Sequence, residues 1–351
     1  MINSNMHKLT LIITLTLSLW FSQGCKVNNP EESNKHLKAG IEAFNKGKHD
    51  IAEKEFNAAI EQNSNNSTAW YYNGLLHVTK NNLQKGLEDY SEAIDISPDT
   101  ARFYDARGYV YITLEDYKKA MEDYDAAVKI DPKNPVYINR RGYIFALLKD
   151  YDKAIADYSK AIELNPKYED AYSNRGFAFL AQNKFENSVA DFSKAIEQNS
   201  KKAVYFNSRG YGYSNMKRLY DALPDYDMAI FLDSNFADAY VNRGYVMLNT
   251  GMYQFALQDF DKAIKLGITN APNFNARGYA FANLRNYEQA ITDYSKAIEL
   301  DPNFADAYVN RGFTYFNSAN KQKALADWEK AVQLKPQLDS NLRTYMEKAK
   351  K

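Results

Sequence analysis

A glycine recurs every 34 residues along this chain of 351 residues, and this period constrains the fold more than any other feature. The spacing is constant across the array, so the repeats carry no insertions. A fixed period of this length is typical of identical supersecondary units that bury their apolar faces only by stacking on one another. We number each repeat so that its glycine is position 8, which makes Ser33 position 1 of the first repeat. The nine glycines are Gly40, Gly74, Gly108, Gly142, Gly176, Gly210, Gly244, Gly278 and Gly312.

Apolar and small residues keep the same positions in every repeat. Position 24 is aromatic and position 27 is alanine in all nine repeats, and position 20 is always small. Positions 4, 8 and 11 share one face of a helix, whereas positions 17, 20, 24, 27 and 28 share one face of a second helix. The small residues let the two axes approach to roughly 8–10 Å. Each repeat is therefore predicted to be a helix–turn–helix unit, and proline at position 32 separates several of the units.

Five residues of the second repeat carry a family resemblance: Trp70, Gly74, Tyr90, Ala93 and Pro98. They lie where the tetratricopeptide repeat motif has its signature residues, so residues 33–338 resemble nine such repeats. The resemblance implies an all-α, right-handed superhelical solenoid. It also implies a concave groove, lined by the first helix of each repeat, that binds peptides.

The ends of the array differ from its middle. Repeat one matches the motif poorly, as expected of a terminal repeat. After the ninth repeat, Leu338, Leu342, Tyr345 and Met346 form one apolar stripe, which predicts a C-terminal capping helix over residues 339–351. Inside the array, Pro224 falls at position 22 of repeat six, where we expect a kink or a late helix start.

The N-terminus resembles a bacterial lipoprotein signal. Residues 9–21 are uncharged and apolar, and they are too short to span a bilayer comfortably. Cys25, the only cysteine of the chain, follows directly. We therefore predict a signal peptide over residues 1–24, lipidation of Cys25 with acyl chains such as palmitate, and a polar tether over residues 25–32. If Cys25 is not lipidated, the protein is predicted to be soluble and either periplasmic or secreted.

Composition disfavours two classes of function. Forty-four basic and 44 acidic residues give a formal net charge of zero, which argues against nucleic-acid binding through a basic face. The four histidines do not cluster in the sequence, and no phosphate-binding loop, nucleophile motif or metal-ligand spacing occurs. We predict that the protein is not an enzyme and needs no metal or cofactor.

The most systematic polar pattern joins position 7 to position 23. Seven successive repeats have arginine at position 7 and aspartate at position 23, next to the packing stripe. We predict partly buried ion pairs between the two helices of a repeat or between neighbouring repeats, with a structural role. The arginines are Arg107, Arg141, Arg175, Arg209, Arg243, Arg277 and Arg311, and the aspartates are Asp123, Asp157, Asp191, Asp225, Asp259, Asp293 and Asp327.

Two further rows are the candidate binding residues. Position 9 is aromatic in seven successive repeats and lies on the face of the first helix that the resembled family uses for peptides; lateral packing between helices is the alternative. Asparagine alternates between position 5 of even repeats and position 6 of odd repeats, where its amide could pair with a peptide backbone; compositional bias is the alternative. The aromatic row is Tyr109, Tyr143, Phe177, Tyr211, Tyr245, Tyr279 and Phe313. The asparagines are Asn139, Asn174, Asn207, Asn242, Asn275 and Asn310.

Together these features predict a membrane-tethered scaffold of the bacterial cell envelope, with the outer membrane favoured. Its expected partner is a protein, or an extended peptide segment of another envelope protein, held in the concave groove. A surface or periplasmic solenoid of the adhesin type, which binds glycans through the aromatic row, is the alternative.

Overall fold

The computed structural model describes residues 28–350, and within this range the chain forms helices and short turns with no β-strand. Contacts divide the chain into two compact units, Met1–Leu164 and Asn165–Lys351. The helices described in the first unit are α1 (Pro30–Asn45), α2 (His49–Gln62), α3 (Ser67–Thr79), α4 (Leu83–Ile96), α5 (Ala101–Thr113), α6 (Tyr117–Ile130), α7 (Pro135–Leu147) and α8 (Tyr151–Leu164).

The second unit continues the same alternation. Its helices are α9 (Glu169–Ala181), α10 (Phe185–Gln198), α11 (Ala203–Asn215), α12 (Leu219–Leu232), α13 (Ala237–Asn249), α14 (Tyr253–Lys265), α15 (Ala271–Asn283), α16 (Tyr287–Leu300), α17 (Ala305–Asn317), α18 (Lys321–Leu334) and α19 (Asp339–Lys350), with a 3₁₀ turn at Pro336–Leu338 before α19. Each odd helix up to α17 is the first helix of a repeat, and the even helix after it is the second. The prediction of an all-α solenoid of helix–turn–helix units followed by a C-terminal helix is confirmed.

The glycine at position 8 and the aromatic residue at position 24 of each repeat are complementary in shape. A Cβ atom added at Gly312 would come within 2.5 Å of the Trp328 indole nitrogen, and one at Gly244 within 3.0 Å of the Phe260 ring. Trp328 and Phe260 are fully buried. Because the ring lies directly on the backbone of the facing helix, only glycine allows this close approach.

The turn between the two helices has the same backbone geometry in all nine repeats. Position 15 has a positive φ in each, although it is glycine only at Gly47 and Gly251. In repeat two, Asn81 N–H bonds the Val78 carbonyl, and Asn82 N–H bonds the His77 carbonyl at 2.8 Å. This is the Schellman arrangement, which satisfies carbonyls at the end of the first helix.

The N-terminal boundary differs from the expected one. Helix α1 begins at Pro30, so three residues assigned to the tether are helical. Pro30 is pre-organised for the first turn of a helix, and Asn29 accepts a hydrogen bond from Glu32 N–H at 3.1 Å. The predicted signal peptide and Cys25 lie outside the described residues.

The C-terminal helix covers the apolar face of the last repeat. Leu342 is buried there, and the Tyr345 ring lies 5.0 Å from Phe313 and 6.0 Å from Trp328. Aromatic burial of this kind is what an exposed terminal repeat needs for solubility.

Proline 224 does not delay its helix. Helix α12 begins at Leu219, which is position 17, as the second helix does in the other repeats. Of the two expected effects of Pro224, a kink or a late start, the late start does not occur. Pro224 is solvent-exposed, so its ring meets water on its outer side and only the bond to the Tyr220 carbonyl is lost.

Residues 28–350 contain neither a helix suited to cross a membrane nor a cluster of metal-ligating side chains. None of the helices in this range has the length and hydrophobicity needed to cross a membrane. In the same range, no three acidic, histidine or cysteine side chains are grouped as they would need to be to hold a metal ion.

Candidate binding groove

Each of the seven arginines at position 7 donates two hydrogen bonds to the aspartate at position 23 of its own repeat. In repeat six, Arg209 Nε donates to Asp225 Oδ2 at 2.8 Å, and Nη2 donates to Oδ1 at 2.7 Å. The other six repeats show the same bidentate geometry. This fork geometry is specific to arginine, and lysine could not reproduce it. The pairs lock the first helix of a repeat onto the second.

A third hydrogen bond reaches the preceding repeat, through a residue that the sequence analysis missed. In repeats two, three and five to eight, position 25 is serine or aspartate, and it accepts from the remaining nitrogen of the next repeat's arginine. Arg209 Nη1 donates to Ser193 at 3.1 Å, whereas Arg243 Nη1 donates to Asp227 at 2.6 Å. The predicted pair of positions 7 and 23 therefore forms within one repeat, whereas the contact across the repeat boundary goes to position 25. The recurrence of serine or aspartate at position 25 of repeats two to eight is the sequence pattern that could have predicted this contact.

Burial of the Arg–Asp pairs carries a desolvation cost that opposes the attraction between the two charges. Burial raises the pKa of the Asp259 carboxyl, and the Arg243 guanidinium offsets part of this effect. Burial would lower the pKa of Arg243, but its hydrogen bonds to Asp259 and Asp227 outweigh burial and raise it. Because desolvation opposes the attraction, such pairs contribute more to helix register than to net stability.

The first two repeats have Ala39 and Asn73 at position 7, and in each a histidine from another position contacts the acidic residue at position 23. His36 Nδ1 lies 2.6 Å from Glu55 in repeat one, and His77 Nδ1 lies 2.7 Å from Asp89 in repeat two. In repeat two, Asn73 at position 7 also donates to Asp89 at 3.1 Å. These repeats therefore keep a polar link between their helices without the arginine fork.

The aromatic residues at position 9 are partly exposed to solvent on the first helices. In both units, six of the seven expose between 37 and 54% of their surface. Two of these six also pack edge-to-face on the buried ring of their own repeat: the ring centroids of Phe177 and Phe192 are 4.9 Å apart, and those of Tyr245 and Phe260 are 5.3 Å apart. Phe313 differs because α19 covers it. The rings therefore pack and remain accessible at the same time.

The alternating asparagines pair with one another across repeats. Asn242 Nδ2 donates to Asn207 Oδ1 at 3.0 Å, and Asn310 Nδ2 donates to Asn275 Oδ1 at 3.0 Å. In repeats six to nine, the alternation between positions 5 and 6 thus builds one amide pair for each two repeats. Asn139 is buried on α7, and Asn174 is half-buried on α9.

Three consecutive cavities open along the first helices of repeats six to nine. Their volumes are about 450, 610 and 220 Å³. Tyr211 and Tyr245 flank the first, Tyr245 and Tyr279 the second, and Tyr279 and Phe313 the third. The amide pairs contribute to the walls through Asn242, Asn275 and Asn310. Lys217 is the one charged residue among the linings of these three cavities.

A second asparagine row lines the same cavities, and the sequence analysis missed it. Position 13 is asparagine in repeats six to nine, at Asn215, Asn249, Asn283 and Asn317, and all four line the cavities. Asn215 and Asn283 donate to the backbone carbonyl of the aromatic residue four positions earlier, at 2.9 and 2.8 Å. This bond fixes the amide and turns its oxygen into an oriented acceptor. Position 13 lies four residues after the aromatic position 9 and therefore on the same helix face, and this spacing could have predicted the second asparagine row.

Family comparisons agree with this architecture. A profile described as TPR repeat matches residues 142–183 and 278–318. Profiles described as tetratricopeptide repeat match residues 37–101, 101–134, 169–202 and 305–338. Together the matched segments cover more than half of the chain, which therefore contains tetratricopeptide repeats. No curated protein matches the chain significantly in sequence.

Solved structures support the fold. A tetratricopeptide repeat protein from Parabacteroides merdae is 20% identical, with 72% of this chain and 99% of that chain covered at a TM-score of 0.54. A chain of the APC/C hetero-tetramer Cut9–Hcn1 is 10% identical, with 91% and 96% covered at a TM-score of 0.51. At these identities the likeness shows the fold alone.

Proposed function

We propose that this protein is a scaffold that binds an extended segment of a partner protein along the first helices of repeats six to nine. The supporting observation is the row of three cavities whose walls alternate exposed aromatic rings with oriented side-chain amides. The tetratricopeptide repeat fold itself is typical of protein–protein interaction. We name the surface formed by these cavities the groove.

The chemistry of the groove suits a polypeptide backbone. The pair between Asn207 and Asn242 uses the Asn207 carbonyl and one Asn242 N–H, which leaves the carbonyl and the second N–H of the cavity-lining Asn242 for a ligand. Amides of this kind donate to and accept from backbone groups regardless of the partner's side chains. Tyr211, Tyr245 and Tyr279 would supply the apolar burial. The near absence of charge in the linings favours an uncharged segment.

The test is the triple substitution of Tyr211, Tyr245 and Tyr279 by serine. Binding is measured with peptides selected against the purified protein from a random displayed library, and folding is measured by thermal melting. We expect affinity to fall by more than about tenfold, while the melting temperature changes little. Serine at Tyr220 and Phe231, exposed aromatics on a second helix, is the matched control and should leave peptide affinity unchanged.

Two outcomes would reject the groove as the binding site. If affinity and melting temperature fall together, the rings serve only packing. If a well-folded triple variant binds peptide normally, the site lies on another face.

A glycan ligand is the second candidate, favoured by one observation. The largest of the three cavities combines Tyr245, Tyr253 and Tyr279 with Asn249 and Asn275, and aromatic rings beside neutral amides also suit the faces and hydroxyl groups of sugars. A glycan array probed with the same wild-type and triple-variant proteins discriminates the two. Binding to glycans and not to peptides would favour the second candidate.

We further propose that the scaffold is tethered in the bacterial cell envelope through lipidated Cys25. The apolar segment of residues 9–21 before this single cysteine supports the proposal. The helical start at Pro30 leaves only a short linker between the anchor and the first repeat. Metabolic labelling of Cys25 with a fatty acid is the test.

A further inference from the structure

The first and third cavities of the groove have matching walls, two repeats apart. All eight residues that line the third cavity correspond, 68 residues earlier in the chain, to residues that line the first. Five of these eight pairs are identical, and a sixth exchanges Tyr245 for Phe313. The identical pairs are Tyr211 and Tyr279, Asn215 and Asn283, Tyr226 and Tyr294, Asn242 and Asn310, and Asn249 and Asn317.

The amides of the two cavities are also held in the same way. Asn242 and Asn310 each donate to an asparagine of the preceding repeat at 3.0 Å. Asn215 and Asn283 each donate to the carbonyl four residues earlier, at 2.9 and 2.8 Å. Because both hydrogen bonds recur, the same amide atoms remain for a ligand in the two cavities.

The two remaining pairs of lining residues move a hydroxyl group from one wall to the other. In the first cavity, the hydroxyl groups of Tyr226 and Ser214 lie 3.0 Å apart. The third cavity has alanine in place of this serine, but there the Tyr294 hydroxyl bonds Thr314, which replaces a valine of the first cavity. Each cavity therefore keeps one hydroxyl beside its buried tyrosine, although a different helix supplies it.

The rest of these repeats has not been kept in the same way. On the outer side of the second helices, Tyr220 and Phe231 of repeat six correspond to Glu288 and Glu299 of repeat eight. The two copies have therefore diverged on their outer face, whereas the walls of the cavities are retained.

The matching walls are also confined to these two places. Between repeats seven and eight, Val241 and Ala276 occupy the positions that would form an amide pair. In repeats four and five, Leu147 and Ala181 occupy position 13, where the cavities have asparagine. The groove thus has two like cavities, separated by the second cavity, which has different walls.

We propose that the first and third cavities are equivalent subsites that bind the same short, uncharged polypeptide segment twice. This inference rests on the proposed function of the groove and specifies the partner: a chain that carries two copies of one segment, joined by a linker across the second cavity. Matching walls select matching ligand groups, because the same rings and amide atoms are presented twice. Joining the two copies makes the second binding event intramolecular, which raises the overall affinity without new contacts.

The volumes of the cavities limit the shared segment. The first cavity measures about 450 Å³ and extends to Lys217 and Leu219, whereas the third measures about 220 Å³. A unit that occupies both subsites must fit the smaller one. It is therefore a short stretch of extended chain and not a folded element.

Calorimetric titration with a short peptide, selected from the displayed library, tests the number of subsites. We expect two peptides to bind per chain. A tandem peptide with two copies of the same sequence should bind once per chain and about a hundredfold more tightly, with a gain that depends on linker length. A tandem peptide whose second copy is scrambled is the control, and it should show no gain.

Matched variants assign the two subsites. Tyr211→Ser with Asn215→Ala alters the first, and Tyr279→Ser with Asn283→Ala makes the same change in the third. Each should reduce the number of bound peptides from two to one and abolish the gain of the tandem peptide, whereas all four changes together should abolish binding. If a double variant melts early, Asn215→Ala and Asn283→Ala alone replace it, and each should weaken only one of the two binding events.

Three results would overturn the two-subsite proposal while leaving the groove as a peptide site. They are one peptide bound per folded chain, a tandem peptide without gain, and loss of all binding in only one of the matched variants. A folded protein that binds no selected peptide through the groove would instead reject the proposed function, and this inference with it.

Discussion

At the scale of single residues, one guanidinium organises three helices. Arg209 joins its own helix to Asp225 on α12 and to Ser193 on α10. Sliding any of these helices by one residue would break at least one of the hydrogen bonds. The cluster is thus a register device, repeated wherever position 7 is arginine.

This view predicts an asymmetry between single and double substitutions. Arg209→Met leaves Asp225 without its partner in a site where its side chain is only 7% exposed, and this should lower the unfolding free energy by about 3–5 kcal/mol. Arg209→Met combined with Asp225→Leu removes both charges and should recover most of the loss. Urea unfolding of the four proteins of the cycle measures the coupling. Additive effects would show that the pair does not act as a unit. Repeat six is preferred because Ser193 leaves no second carboxylate unpaired.

At the scale of helices, backbone geometry is set by stacking and not by local preference. Lys217 and Arg285 take positive φ values of 62° and 61° at the turn between two helices. This conformation costs roughly 1–2 kcal/mol for a residue with a side chain. The Schellman hydrogen bonds and the packing of the helix pair offset that cost, since the same turn recurs whichever residue is present.

Helix α12 carries a second cost of this kind at Pro224. Pro224→Ala restores the N–H that bonds the Tyr220 carbonyl, so it should raise stability by about 1–3 kcal/mol. Amide hydrogen exchange should show increased protection in α12. Ala222→Gly on the same helix is the control of opposite sign, because glycine should lower the stability of α12 and decrease its protection from exchange. If Pro224→Ala leaves both the melting temperature and exchange unchanged, the proline is not a weak point.

At the scale of the whole molecule, the two kinds of helix present different chemistry. First helices of repeats six to nine expose rings and amides around cavities, whereas the second helix of repeat six exposes the side chains of Tyr220 and Phe231. The zero net charge provides no long-range attraction for nucleic acid. The proposed binding of a partner segment in the groove would therefore depend on short-range contacts.

The proposed lipid anchor at Cys25 makes a prediction for the intact protein. An alkyne fatty acid fed to expressing bacteria should label the wild type, and Cys25→Ser should abolish the label, because Cys25 is the only thiol of the chain. Fractionation should move the serine variant out of the membrane pellet. Label that persists in the variant, or a wild type without label, would instead indicate an unlipidated protein. Tyr211→Ser is a suitable control, since it alters the groove and leaves the anchor intact.

The sequence by itself determined the helix pairs, their order and the faces that pack, because a strict period of 34 residues repeats every apolar and small position. It also placed Arg209 beside Asp225 and the aromatic row on the first helices. Only the tertiary structure decided what those residues touch. The asparagines pair across 35 residues, Asn215 orients on the Tyr211 carbonyl, and Lys217 adopts a glycine-like backbone. These features depend on how neighbouring repeats stack, and contacts between stacked helices are set by packing geometry, which residue spacing along one helix does not encode.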